Sequence, residues 1–174
     1  MYLEKMIKPK YITQGGRNNM NKYFENKIIP YVGTESFKFG AKYSDIKNKI
    51  KSEHLSIQQT ERSNKGCDID WPWIILTVEN SITLVFVKDV LFEIVLANSY
   101  KGKLPNGCCI GMSLKELEKL DSSLAYNEIE EDYFSKEGYW ITEDEFGNID
   151  SITVYVKEIA EPSFYKYEWL ERYL

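Results

Sequence analysis

Between Trp73 and Ala97 the chain reads WIILTVE, a break at Asn80-Ser81, ITLVFVK, a break at Asp89, and VLFEIVLA. β-Branched and aromatic residues fill all three segments, and breaks this short can join only antiparallel neighbours. The pattern predicts a three-stranded antiparallel meander. Its second strand is apolar at nearly every position through Phe86, so it should be central and covered on at least one face. With 174 residues and 43% apolar side chains, there is material for one core around that sheet, burying roughly 70% of the unfolded surface.

The sequence on either side of the meander repeats one grammar. Before it, FKFGAKYSDIKNKI places Phe37 and Phe39 in alternation, then Gly40, then a short amphipathic helix with Tyr43, Ile46 and Ile50 on one face. After it, CCIGMSLKELEKLD gives Ile110, Gly111, then Leu114, Leu117 and Leu120. Ser113 is a good N-cap there, with Glu116 three residues on to complete a capping box. Aligning Gly40 with Gly111 matches Tyr43 to Leu114, Asp45 to Glu116 and Ile46 to Leu117. Strand-like segments follow each helix, LSIQQTE in the first copy and LAYNE in the second, which continues with GYWITED, a turn at Phe146-Gly147-Asn148 and DSITVYVKE. Two readings stay open: tandem helix-then-sheet units over residues 37–97 and 108–157, or coincidence, since glycine before a short amphipathic helix is common. The tail EPSFYKYEWLERYL spaces Tyr165, Trp169 and Tyr173 four apart behind Ser163, which predicts a terminal helix docked on the core.

The segment AYNEIEEDYFSKEGYWITEDEFGNID, residues 125–150, holds nine carboxylates and one lysine. Such a surface attracts a basic partner. The candidate binding residues are Glu128, Glu130, Glu131, Asp132, Glu143, Asp144 and Glu145, with Tyr133 and Trp140 as anchors around which the charges form a rim. Tyr126, Phe134 and Tyr139, also interleaved with the acids, are further candidate anchors, with core packing as their alternative. On an alternating strand Tyr139 and Ile141 take one face and Trp140 the other, so one of those sets should be exposed.

Chemistry has little to draw on. There is one histidine, His54, and Cys67, Cys108 and Cys109 have no metal-type spacing, a usage that fits a reduced, cytosolic compartment. Cys108 and Cys109 precede an apolar segment, so burial is expected over reactivity. No phosphate loop, nucleophile elbow or dinucleotide fingerprint is present. Asp68 and Asp70 have the spacing of an oxygen-ligand pair, which keeps a metal-dependent hydrolase as an alternative, although Trp71-Pro72-Trp73 makes them read as a turn entering a strand. Glu130-Glu131-Asp132 and Glu143-Asp144-Glu145 lack the twelve-residue calcium-loop pattern and read as solvated loops.

Residues 1–66 carry a net charge of +7 and residues 67–174 a net charge of −12. An overall acidic chain argues against nucleic acid as ligand, and Lys47, Lys49 and Lys51 read as a solvated helix face. No apolar run has the length of a signal peptide or membrane span. The first nineteen residues lack periodicity and end in Gly-Gly-Arg-Asn-Asn. Either Met20 is the genuine start or they form a mobile arm ahead of a single domain over 20–174.

From Gly102 to Glu158 the chain, with its GKLPNGCCIGMSLKELEKLD opening, EEDYFSKEGYW middle and GNIDSITVYVKE close, resembles small immunity proteins of bacterial polymorphic toxin and contact-dependent growth inhibition systems. The tandem helix-sheet organisation is also similar to that of β-lactamase inhibitor proteins, although the expected lack of a signal peptide departs from those secreted inhibitors. Both resemblances imply inhibition. An immunity protein would bind a cognate toxin domain one-to-one as a monomer and block its active site, commonly that of a basic nuclease, with carboxylates standing where substrate phosphates go. The expectation is therefore an α+β fold, mainly antiparallel sheet with short helices, carrying a cytosolic, non-catalytic antidote without cofactor. An adaptor subunit of a larger assembly is the remaining alternative.

Overall fold

A computed structural model describes residues 22–63 and 71–174. Ten strands and two α-helices lie wholly within them, and the fold is α+β, mainly sheet. A small hairpin, β1 (Ile28–Ile29) with β2 (Gly33–Thr34), comes first. Helix α1 (Tyr43–Ser52) leads into β3 (Ile57–Arg62), β4 (Trp73–Val78), β5 (Ile82–Val87) and β6 (Val90–Ala97). Helix α2 (Leu114–Leu120) leads into β7 (Ala125–Asn127), β8 (Asp132–Ser135), β9 (Tyr139–Glu143) and β10 (Ile149–Tyr155). The large sheet has the order β3-β4-β5-β6-β10-β9-β8-β7 and is antiparallel throughout.

The expected meander is β4-β5-β6, with β5 buried at all but Thr83. The first turn sits one residue earlier than the sequence suggested, on Glu79-Asn80, and the second, Lys88-Asp89, contains the expected Asp89. All four residues have positive φ, the twist that tight antiparallel hairpins require. Sequence reading favours asparagine and aspartate for such geometry, so it finds both turns and misplaces only the first, by one residue.

The order of the sheet shows two helix-then-four-strand units joined back to back at β6 and β10. The matched glycines have matched geometry, with φ of +84° at Gly40 and +81° at Gly111. Gly40 N–H donates to Leu91 O and Leu91 N–H to Ala41 O; Gly111 N–H donates to Ile149 O and Ile149 N–H to Met112 O. Tyr43 N–H meets Asp89 O as Leu114 N–H meets Gly147 O. A one-residue register shift leaves Phe92 of β6 unpaired, and the same shift leaves Asp150 of β10 unpaired. At the junction Ile152 pairs with Leu96 and Val154 with Ile94, which are the same pair read from either unit.

Both helices pack on one face. Ile46 and Ile50 of α1 and Leu114 and Leu117 of α2 bury against Leu76, Leu84, Ile94, Tyr139, Ile141 and Ile152. The capping box at Ser113 and Glu116 is formed, satisfying two free backbone donors at the start of α2. Leu120 departs from the expected stripe and is exposed. In its stead Asp121, matched to Ile50, turns inward and accepts hydrogen bonds from Ser123, Ser135 and Tyr139.

On the opposite face, the C-terminal segment covers the first unit. There Val85, Val87, Val90 and Phe92 lie under Phe164, Tyr167, Trp169 and Leu170 of the C-terminal segment. That segment docks on the core as expected, but it is not an α-helix with a Tyr165, Trp169, Tyr173 stripe. It forms 3-10 turns at Lys157–Ala160, Phe164–Lys166 and Glu168–Arg172, and Ser163 supplies no side-chain cap. Tyr167, at φ +59°, breaks any continuous helix, and the tighter turn brings Tyr167 and Leu170 inward as a pair three apart. No helix among the described residues is long and apolar enough to cross a membrane.

Candidate functional site

The acidic segment spans β7 to the start of β10. Register decides which of its residues meet. Tyr133 pairs with Ile141, so Asp132 stands beside Thr142 and the β7–β8 turn lies at the same end of the sheet as the β9–β10 turn. Two strand spacings separate the turns, about 10 Å.

Each turn is built by an Asx side chain. Asn127 Oδ1 accepts the Ile129 N–H at 2.9 Å, and Glu131, at φ +58°, returns its N–H to Asn127 O. Asp144 Oδ1 accepts the N–H groups of Phe146 at 2.9 Å and Asn148 at 2.8 Å. Those backbone donors hold the Asp144 carboxyl below its ordinary range. Asp144 is half-buried and occupied in shaping its turn.

The tips of these turns are apolar. Ile129 is 83% exposed and Phe146 79%. Glu128, Glu130 and Glu131 flank the first tip, Glu143 and Glu145 the second, all exposed. The exposed apolar side chains amid these acids are Ile129 and Phe146, neither of which the sequence reading took as an anchor. The available signal was an apolar residue placed where an Asx turn leaves it no inward path.

Tyr133 and Trp140 do not share a surface. Tyr133 lies on the helix side, half-buried, with its ring 4.9 Å from Tyr126 and its hydroxyl 3.2 Å from Glu143 Oε1. Trp140 lies on the opposite face in a ladder of rings: 5.2 Å to Phe134, 4.5 Å to Tyr155, and Tyr31 against Tyr155 at 6.1 Å. Of the two sets expected to alternate, Tyr139 and Ile141 are buried and Trp140 is partly exposed. Asp132 also faces the Trp140 side and, against expectation for a rim residue, is only 8% exposed. Burial, then the neighbouring Glu130 and Glu131, push its carboxyl up to about 6.

Asp68, Asp70 and Cys67 lie outside the described residues, as do residues 1–21 with Met20. Among the described residues, no three His, Cys, Asp or Glu side chains are grouped to hold a metal ion. Cys108 is buried, and burial first of all pushes its thiol up to about 12, so it is an inert core thiol; Cys109 is half-buried. Lys49 and Lys51 are exposed, and Lys47 donates to Tyr43 Oη and Gln59 Oε1, a helix-surface arrangement.

No family model, curated protein or solved structure matches this chain.

Proposed function

We propose that this protein is a non-catalytic immunity protein that binds a cognate toxin domain and blocks its active site. The observation that carries the reading is the pair of turns holding exposed Ile129 and Phe146 amid Glu128, Glu130, Glu131, Glu143 and Glu145. Two ordered apolar side chains in water have no role within the fold. Surrounded by same-sign charge, they suit a partner with an apolar pocket in a basic surround. A nuclease active site is such a surround, because it must attract phosphate, and carboxylates presented to it speed encounter and exclude substrate. The one-sided charge fits a stoichiometric blocker, which would act in the cytosol without cofactor.

Co-expression with the product of the neighbouring reading frame tests this. Growth arrest by the neighbour alone and rescue by this protein are expected. A toxic neighbour that this protein fails to restrain, or a neighbour that is harmless, would count against it.

A further inference from the structure

Of the nine carboxylates between residues 125 and 150, Asp132 is the least exposed to water. It alternates on β8 with Phe134, whose ring meets Trp140, so it points to the face away from the helices. Its strand neighbours are Asn127 and Thr142. Neither serves it: Asn127 Oδ1 takes backbone N–H groups of its own turn, and the Thr142 hydroxyl pairs with Ser151 at 2.7 Å. Among the described residues Asp132 has no side-chain hydrogen bond and no ion pair, and the nearby charges of Glu130 and Glu131 have its own sign. An unpaired carboxylate with so little contact with water is costly, and a counter-charge arriving from outside would relieve it.

The two units say where that counter-charge would come from. Carried into the first unit through the matched register, the position of Asp132 is that of Ile75. Ile75 packs against the aromatic cluster that the C-terminal segment closes. In the second unit the C-terminal segment does not cover the equivalent surface, and the apolar residue is replaced by an acid. Glu93, on the same face at the junction, is likewise without a hydrogen bond among the described residues, and burial pushes it up to about 7 against the pull of Arg62.

We infer that the helix-free face of the second unit receives an arginine or lysine from a basic protein, with the cation against Asp132 and its aliphatic stem along Phe134 and Trp140. Stacking on Trp140 adds to the attraction, and a lipid headgroup or nucleic acid phosphate would be repelled. The class of partner rests on the antidote reading; the site does not require that toxin to be known.

The test uses the full chain. A capped Gly-Arg-Gly peptide is titrated while the Asp132 carboxyl carbon and the Trp140 indole N–H are followed by NMR near neutral pH, with citrulline in place of arginine as control. Saturating shifts at both sites are expected for arginine alone, weakened at least about tenfold in Asp132→Asn. The free Asp132→Asn protein should also melt at a higher temperature, because the substitution removes an unpaired buried charge. Shifts that persist in the variant, or that citrulline reproduces, or a lower melting temperature would overturn the inference. Arginine binding without rescue of growth would leave this site standing and remove the antidote reading; rescue without arginine binding would do the reverse.

Discussion

Two aspartates show how position decides what a carboxyl does. At Asp121 burial pushes the pKa up, but hydrogen bonds from Ser123, Ser135 and Tyr139 outweigh it and hold the group at about 2. Its stabilisation is complete above the unfolded value near 4 and is lost as pH falls toward 2. At Asp132 the folded value is raised, so the folded state binds the proton more tightly and stability declines as pH rises from about 4 to about 6. Urea titrations across pH should therefore find the acid-limb loss reduced in Asp121→Asn and the decline between pH 4 and 6 reduced in Asp132→Asn. Asp121→Ala, which strands two hydroxyl donors and a buried tyrosine, should cost about 3 kcal/mol; a cost under about 1 kcal/mol would mean the network is dispensable.

At the scale of elements, the strands and helices were legible because burial writes its period into sequence. The meander, β3, α1, α2 and its capping box all lie where alternation and i, i+4 spacing put them. The repeat was legible through Gly40 and Gly111, since only a left-handed position before each helix demands glycine twice. What sequence could not convey was exchange of roles between matched positions: Asp121 for Ile50, Asp132 for Ile75, Leu120 turned out to solvent. The C-terminal segment misled for a related reason, its four-residue aromatic spacing being overridden by the left-handed Tyr167. The glycines separate conformation from packing. A Cβ on Gly111 would meet nothing within 4 Å, so Gly111→Ala should cost only the backbone strain, about 1–2 kcal/mol. A Cβ on Gly40 would fall 2.3 Å from the Tyr173 ring, so Gly40→Ala should cost clearly more and loosen the C-terminal segment. Equal costs by thermal denaturation would refute the difference.

For the whole molecule, the division of labour follows the charge. The first unit has both sheet faces covered, by α1 and by the C-terminal segment, while the second keeps one face partly open and carries the acidic turns. Ile129 and Phe146 stand clear of the core, so Ile129→Ala and Phe146→Ala should leave the melting temperature within about a degree or two of wild type. On the proposed reading the acids beside them act at longer range, so that reversing Glu130 and Glu131 to lysine should slow association with a basic toxin and flatten its dependence on salt. The most direct measurement is growth of cells carrying the neighbouring toxin with wild-type protein, Phe146→Ala, or the Glu130→Lys, Glu131→Lys pair, at matched levels of folded protein. The account predicts rescue by wild type and its loss in both variants; rescue undiminished by the variants would contradict it.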